Sequence, residues 1–160
     1  MRLRLATLSD APEIVALERT PFAREFVGQW SEDRHRGTLA SADARYYVSE
    51  SDGGEIQAYA ILRGIQEDSR SIELKRIVVA VPGRGLGRRI LEELQRIAFH
   101  DLGAHRFFLD VFEDNARARH LYESLGFKYE GIMREAANRD GQWRNLHLMS
   151  ILESEYEANG

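Results

Sequence analysis

Apolar and polar positions along the first forty residues follow a strand pattern and then two helix patterns. Residues 2–6 alternate polar and apolar side chains, which is typical of a half-buried strand. Asp10 then predicts an N-cap for a helix with Glu13 at its third position, and Ser31 predicts the cap of a second short helix that ends near Leu39. The segment between them, residues 20–30, has only weak periodicity.

Three strand-like segments follow in succession, at residues 45–50, 56–65 and 71–80. The first two are joined by Ser51-Asp52-Gly53-Gly54, a composition that is typical of a hairpin turn. The pattern therefore predicts a three-strand meander in the first half of the chain.

The third of these strands ends in a glycine-rich turn, Pro82-Gly83-Arg84-Gly85-Leu86-Gly87-Arg88, which leads into an amphipathic helix that stops near Gly103. Backbone NH groups at a helix N-terminus have no intrahelical partner, and the helix dipole is positive there. The turn thus predicts a phosphate or pyrophosphate site, although such turns also close ordinary strand-to-helix junctions. No Gly-Lys-Ser/Thr follows as in a P-loop, and Arg88 stands where a dinucleotide fingerprint has its third glycine.

The second half of the chain predicts a buried strand, a capped helix and a terminal hairpin. Residues 105–112 are apolar on both faces except at Asp110, which indicates a central strand. Asn115 predicts the cap of the next helix, which ends at Gly126. Residues 127–134 and 142–152 then flank Arg139-Asp140-Gly141 as a hairpin.

Composition narrows the classes of protein. With 160 residues, 43% of them hydrophobic, the chain predicts a single domain over residues 1–160. A net charge of -4 argues against a nucleic-acid partner, and the lack of cysteine together with the spacing of the five histidines argues against a metal site. No apolar segment has the length of a signal peptide or a membrane span, so we expect a soluble, cytoplasmic protein with no membrane partner.

The order of elements and two motifs resemble the GNAT superfamily of N-acetyltransferases, in particular its members that acetylate the N-termini of ribosomal proteins. One motif is the glycine turn at residues 82–87, and the more specific one is the run from Asp110 to Phe127. The resemblance implies an α/β (α+β) fold. Its central sheet would be mixed and mostly antiparallel, with about seven strands, flanking helices and a splayed strand pair.

The resemblance further implies acetyl-CoA as the acetyl donor. Backbone NH groups along the turn would bind its pyrophosphate, namely those of Gly83, Arg84, Gly85, Leu86, Gly87 and Arg88. The main chain of Ile77, Val78 and Val79 would hold the pantetheine arm, with an NH near Ile77 as the oxyanion donor, and Asn115 would meet the same arm. Pro82 departs from the Gln or Arg usual in the family and removes one NH contact.

Three side chains are candidates for proton transfer in a direct attack of a primary amine on the thioester within a ternary complex. Tyr122 matches the position of the family's general acid, although a tyrosine on an apolar helix face is also a common core residue. Asp110 is the first choice as general base, since burial should raise its pKa, and Glu73 is the competing base. Either acid would otherwise be a structural carboxylate paired with an arginine.

The acceptor is a small-molecule or peptide amine that the sequence does not identify. Residues of the early helices and the last hairpin are candidates for binding it, namely Phe22, Trp30, His35, Tyr47, Asn138 and Trp143. Two other classes compete with the enzyme: a non-catalytic acyl-CoA-binding or regulatory domain, and a nucleotide-binding doubly wound domain. A homodimer is an expectation that comes from the resemblance alone.

Overall fold

The computed structural model describes residues 2–159, which form one seven-stranded sheet with helices on both faces. The strands are β1 (Leu3–Leu5), β2 (Ala44–Glu50), β3 (Ile56–Arg63), β4 (Ser71–Val79), β5 (Arg106–Phe112), β6 (Lys128–Arg139) and β7 (Gln142–Leu152). The helices are α1 (Ala11–Glu18), α2 (Pro21–Phe26), α3 (Glu32–Leu39), α4 (Leu86–Arg96), α5 (Ala116–Ser124) and α6 (Glu153–Asn159).

The strands lie in the order β1-β2-β3-β4-β5-β7-β6. Every neighbouring pair is antiparallel except β4 and β5, which are parallel and are connected through α4. A parallel pair needs such a crossover, whereas the meander β2-β3-β4 needs only short turns. The predicted mixed, mostly antiparallel sheet is confirmed.

The two parallel strands separate after three residue pairs. Ser71–Glu73 pair with Arg106–Phe108, but β4 runs on to Val79 and β5 to Phe112 without further pairing. The register of β4 against β3 also shifts at this point, from Leu74 opposite Leu62 to Arg76 opposite Ile61, so Lys75 is an extra residue in the strand. A bulge bends the strand that carries it. The predicted splay is therefore present, and it opens a gap in the middle of the sheet.

Two hydrophobic clusters cover the two faces of the sheet. On one face α4 packs Ile90 and Leu94 against strand residues such as Phe107. On the other face α1 contributes Ile14, which packs with residues such as Tyr59. The bulge in β4 divides its residues between the clusters, because Leu74 belongs to the first and Val78 to the second. Each face of the sheet is thus closed by its own helices.

Three segments differ from the sequence-based expectation. Residues 21–26 form the short helix α2, with Pro21 in its first turn, and six residues are too few to show a helical period. Residues 153–159 form a terminal helix that was not predicted, and β6 extends to Arg139 beyond the predicted end at residue 134. The longer strand places residues 135–139 beside the gap in the sheet.

Helix α1 begins directly after Asp10, which is its N-cap residue as predicted, but the Asp10 side chain acts differently from the expectation. The Asp10 carboxylate does not cap α1 but accepts hydrogen bonds from the Thr7 NH at 2.7 Å and from Arg4 at 2.8 Å. Asp10 therefore fixes the turn before the helix. Within residues 2–159 no helix combines the length and the apolar character that crossing a bilayer requires.

Candidate active site

A cleft of about 760 Å³ occupies the gap between β4 and β5. Its lining includes the glycine turn with the first residues of α4 and α5, and also α2 and the end of β6. The apolar floor includes Leu109 and Val111 of β5. The divergence of two strands thus creates both the cavity and its unpaired backbone edges.

The glycine turn presents a row of unpaired backbone donors to one end of this cleft. Gly83 and Gly85 have φ values of 87° and 77°, a left-handed conformation that glycine adopts without steric cost. Within residues 2–159, no hydrogen-bond acceptor is found for the backbone NH groups of Gly83 and of residues 85–88. Gly83, Gly85, Gly87 and Arg88 line the cleft, whereas Leu86 is buried in the core and Arg84 is exposed. The turn has the geometry of an anion site.

The free edge of β4 offers further donors. The Ala80 NH donates to the Gln57 carbonyl of β3 at 2.9 Å, and NH directions alternate along a strand. The NH groups of Ile77 and Val79 therefore point away from β3, into the gap. Ile77, Val78 and Val79 all line the cleft. The Ile77 NH is available to an acceptor atom held in the gap.

Tyr122 reaches the cleft from α5. It is 8% exposed and packs against Phe127, with ring centroids 5.8 Å apart. Burial, and secondarily the negative charge of Asp110, raises the pKa of the Tyr122 phenol well above its usual value. The phenol therefore stays protonated at neutral pH, as a proton donor must.

Asp110 enters the cleft from the other strand, β5. Burial raises the pKa of its carboxyl group, as the sequence predicted, and the nearby Lys75 charge opposes the rise. Lys75, at the bulge of β4, also lines the cleft, and burial lowers the pKa of its amine while Asp110 counteracts this. The two side chains lie close enough for their charges to affect each other, and both are half-buried in the cleft.

Comparison with known proteins agrees with this geometry. The model of the acetyltransferase (GNAT) family matches residues 11–127. The chain belongs to the GNAT acetyltransferase family. It is an acetyl-CoA-dependent N-acetyltransferase, because the family, its relatives and a CoA-bound structural neighbour agree on that activity.

Two relatives and one solved structure illustrate the range of this family. The N-alpha-acetyltransferase RimI of Mycobacterium tuberculosis is 35% identical over 136 residues, covering 80% of this chain and 78% of the relative. The spermidine N(1)-acetyltransferase of Vibrio cholerae is 29% identical over 117 residues, covering 72% and 67%. A crystal structure of the Vibrio cholerae spermidine N-acetyltransferase with CoA and spermine has a TM-score of 0.86 at 25% identity, covering 98% of this chain and 97% of that one.

Asn115 of the acetyltransferase has the predicted capping role. Its Oδ1 accepts a hydrogen bond from the Ala118 NH at 3.3 Å. Asn115 also lines the cleft, so its amide NH₂ remains available to a bound molecule. Capping and ligand contact are compatible in this side chain.

Glu73, the competing base, lies outside the cleft lining. Its carboxylate accepts a hydrogen bond from Arg63 Nε at 2.5 Å, on the paired part of β4. The sequence had left open a structural ion pair with an arginine, and Glu73 forms one. Asp110 has no such ion pair among the described residues.

The six candidates for acceptor binding divide into three groups. Phe22 of α2 and Asn138 of β6 line the cleft. Trp30, His35 and Tyr47 are buried in the hydrophobic clusters or the polar network beside them, and Trp143 is 63% exposed and lies outside the cleft lining. Aromatic side chains in a sequence do not reveal whether they face a cavity or a core.

A buried polar network explains the position of Trp30 and His35. Glu18 accepts hydrogen bonds from His35 Nε2 at 3.0 Å, from the Trp30 NH at 3.0 Å and from Tyr59 at 3.2 Å. Arg76 forms an ion pair with the same carboxylate. Burial alone would raise the pKa of Glu18, but these hydrogen bonds and the Arg76 charge lower it overall.

Sequence reasoning missed four basic residues that line the cleft: Lys75, Arg76, Arg117 and Arg139. The chain has only two lysines, and this rarity was the signal that could have drawn attention to Lys75. Arg117 belongs to the specific motif of α5, and its guanidinium lies 3.0 Å from the position that a Cβ on Gly83 would take. Arg139 belongs to the unpredicted end of β6, so the pattern gave no sign of it.

Proposed function

We propose that this acetyltransferase transfers an acetyl group to a primary amine by direct attack, with Asp110 as general base and Tyr122 as general acid. Asp110 accepts a proton from the ammonium form of the acceptor, which frees the nitrogen lone pair. The nitrogen then forms a bond to the thioester carbonyl carbon, and the carbon–sulfur bond breaks. Tyr122 donates its proton to the leaving thiolate and regains one from the acylated nitrogen, so the products are an amide and a thiol.

The donor has a defined place in this proposal. The free NH groups of the glycine turn would hold the pyrophosphate, aided by the guanidinium of Arg117. The Ile77 NH would donate to the thioester carbonyl oxygen, which gains negative charge during the attack. Acetyl-CoA supplies the activated acyl group, and the residues of the chain orient it and move the protons.

The choice of Asp110 over Glu73 rests on placement. Asp110 lines the cleft with Tyr122, and its raised pKa brings it nearer to the range in which a carboxylate accepts protons efficiently. Glu73 is engaged by Arg63 and lies outside the lining. The observation that carries the proposal is that a general-acid candidate, a general-base candidate and unpaired main-chain donors converge on one gap between two strands.

We propose a primary amine as the acceptor. The names of the relatives indicate a polyamine and a protein N-terminus, two amines that differ in charge and size. The alternative of a non-catalytic acyl-CoA-binding domain predicts cofactor binding without turnover. Retention of Tyr122 and Asp110 in the cleft favours the enzyme.

Replacement of Tyr122 by phenylalanine tests the proposal. The variant keeps the ring that packs against Phe127 and loses the proton donor, so we expect kcat to fall by about 10²- to 10⁴-fold with little change in the KM for acetyl-CoA. Thiol release from acetyl-CoA across an amine panel measures both parameters. Tyr129→Phe is the control, because Tyr129 is 52% exposed and lies outside the cleft.

Two results would contradict the proposal. Equal kcat values for Tyr122→Phe and the wild type would mean that Tyr122 is not the general acid. Absence of thiol release with every amine, while acetyl-CoA still binds, would favour the non-catalytic domain.

A further inference from the structure

The charged side chains that line the cleft are mostly positive, although the chain as a whole has a net charge of -4. The basic ones are Lys75, Arg76, Arg88, Arg117 and Arg139, and Asp110 is the acidic one. A polycationic acceptor would meet repulsion in such a cleft, because like charges in a partly desolvated space raise the free energy of binding. The charge of the cleft lining therefore restricts which amines can be the acceptor. An inference about the acceptor deepens the proposed function and rests on it.

Most of these cations have a partner or a place at the donor end. Arg76 is neutralised by Glu18. Arg88 and Arg117 lie at the glycine turn, where the donor's phosphates are expected. Lys75 lies beside Asp110. Of the five basic residues that line the cleft, Arg139 is left without such a partner or place.

Arg139 lines the cleft from the end of β6, beside the end of α2. Its Nη1 donates to the Val27 carbonyl at the end of α2, which fixes the side chain. Its guanidinium carbon lies 5.8 Å from the ring centroid of Phe112. Within residues 2–159 no carboxylate lies within ion-pair distance of it, so its other NH groups are free to bind an anion.

Arg144 shows the contrast. It lies 5.5 Å from the same Phe112 ring, but it forms an ion pair with Asp114. Two arginines thus flank one aromatic ring, and the one that lines the cleft lacks a carboxylate partner. A charge held in that way at the edge of a cavity is a ready site for a carboxylate of a bound molecule.

Asp110 and Arg139 are positioned to bind two ends of one acceptor. Phe112, beneath Arg139, is two residues beyond Asp110 on the same face of β5, which is a separation of about 7 Å along the strand. The cleft that both residues line is also lined by apolar side chains, among them Phe22, Phe26 and Met133. Such a space suits an apolar side chain.

We propose that the acceptor is a small amino acid-like molecule with an apolar side chain, whose carboxylate binds Arg139 and whose amine lies at Asp110. Arg139 is then the residue that selects a zwitterionic amine over a polyamine. The carboxylate binds in the ground state and throughout the reaction, so its loss should appear mainly in KM.

The test compares apolar L-amino acids with their carboxamides, which keep the amine and the side chain but lack the anion. With the wild type we expect the KM of an accepted amino acid to be about 10- to 100-fold lower than that of its amide, as for loss of one charge-assisted hydrogen-bonded pair. Spermidine should be a poorer acceptor than either. Arg139→Gln should raise the KM of the acid to that of the amide and leave the KM for acetyl-CoA unchanged.

Arg134→Gln is the matched control. Arg134 lies on the same strand, is exposed and does not line the cleft, so this variant should keep the preference for the acid. Equal KM values for acid and amide in the wild type, a preference for spermidine, or a preference for the acid that survives Arg139→Gln would each overturn the proposal while leaving amine acetylation intact.

The charge inference can be tested even without turnover. If no acceptor releases thiol, the proposed function fails, and calorimetric binding of an apolar amino acid and of its amide to the CoA-bound protein takes the place of KM. Tighter binding of the acid that disappears in Arg139→Gln would support the anion site. Equal binding of acid and amide would reject it.

Discussion

Asp110, the proposed general base, illustrates what it costs the fold to place a carboxylate in the cleft. A carboxylate is strongly hydrated in the unfolded chain, and burial in the cleft removes part of that hydration. The Lys75 charge returns only some of the lost free energy, since the pKa of Asp110 remains raised. The folded protein therefore binds the Asp110 proton more tightly than the unfolded chain does.

Replacement of Asp110 by asparagine should stabilise the protein in a pH-dependent way. A group with a raised pKa in the folded state contributes stability below its unfolded pKa, about 3.9, and that stability is lost as the pH rises through the folded pKa. We expect equal free energies of unfolding for variant and wild type below about pH 4 and a higher value for the variant at neutral pH. Urea denaturation at several pH values measures the difference.

Asp52→Asn provides the control for this experiment, because Asp52 is exposed in the turn between β2 and β3. Its stability should follow the wild type at every pH. A neutral-pH stability of Asp110→Asn below that of the wild type would mean that the Asp110 charge is net stabilising, contrary to the burial argument.

At the scale of elements, the proposed function assigns the binding of the donor to the glycine turn and to the splayed strand edge together. The turn fixes NH groups at a helix N-terminus, and β4 adds NH groups that β5 leaves unpaired. Both depend on backbone geometry and not on a particular side chain. Changes in the backbone conformation of the turn should therefore affect acetyl-CoA more than the acceptor.

Replacement of Gly83 by alanine tests the turn. Gly83 has a φ of 87°, and a Cβ there would lie 3.0 Å from the Arg117 guanidinium. A left-handed conformation costs an L-residue about 1–2 kcal/mol, so we expect the KM for acetyl-CoA to rise about 5- to 30-fold with a smaller change in kcat. Steady-state kinetics with acetyl-CoA as the varied substrate measures the effect.

Gly37→Ala is the matched control for Gly83→Ala. Gly37 lies inside α3. Apart from its chain neighbours and the backbone of its own helix, no atom of residues 2–159 lies within 4 Å of the position of a new Cβ, and alanine is the better helix former. The KM for acetyl-CoA should stay unchanged in that variant. The same KM for acetyl-CoA in Gly83→Ala and the wild type would mean that the turn does not contribute to binding the donor.

The elements that the sequence predicted correctly are those with local signals. The meander follows from alternation and a Ser-Asp-Gly-Gly turn, and α5 follows from its Asn115 cap, which the structure confirms. The helix α2 has one and a half turns and no measurable period, so it could not be found in that way. The splay came from the resemblance, because strand alternation does not report where pairing stops.

The residues of the candidate site show the same contrast between local sequence signals and long-range packing. Tyr122, Asp110 and the glycine turn belong to contiguous motifs, and the structure brings them to one cleft. Arg139 reaches the cleft through the bend of a long hairpin, and His35 faces the core and not the cleft. Which way a side chain faces in such cases depends on contacts between residues far apart in sequence.

At the scale of the whole molecule, the buried network around Glu18 joins most of the N-terminal half. Its members belong to α1, α3, β2, β3 and β4, through Glu18, His35, Tyr46, Tyr59 and Arg76. Arg76 also stacks on Trp30, with its guanidinium carbon 4.1 Å from the ring centroid. The network thus ties α1 and α3 to β4, the strand whose free edge lines the cleft.

Replacement of Glu18 by glutamine should destabilise the protein strongly at neutral pH. The change leaves the Arg76 charge buried without its counter-ion, and breaking such a pair costs about 3–5 kcal/mol. For a chain of this size the loss corresponds to a fall in Tm of about 6–20 °C. Because the pKa of Glu18 is lowered in the folded state, its stabilisation is present above the unfolded pKa of about 4.3 and is lost as the pH falls.

Thermal unfolding of Glu18→Gln between about pH 2 and pH 8 should accordingly show a constant difference from the wild type above about pH 4.3 and a smaller difference as the pH falls below that value. Glu32→Gln is the control, since Glu32 forms an exposed pair with Arg36 at 3.2 Å, and exposed pairs contribute less than about 1 kcal/mol. A Tm for Glu18→Gln as close to the wild type as that of Glu32→Gln would mean that Arg76 finds another partner or solvent, and that the network does not tie the N-terminal half together.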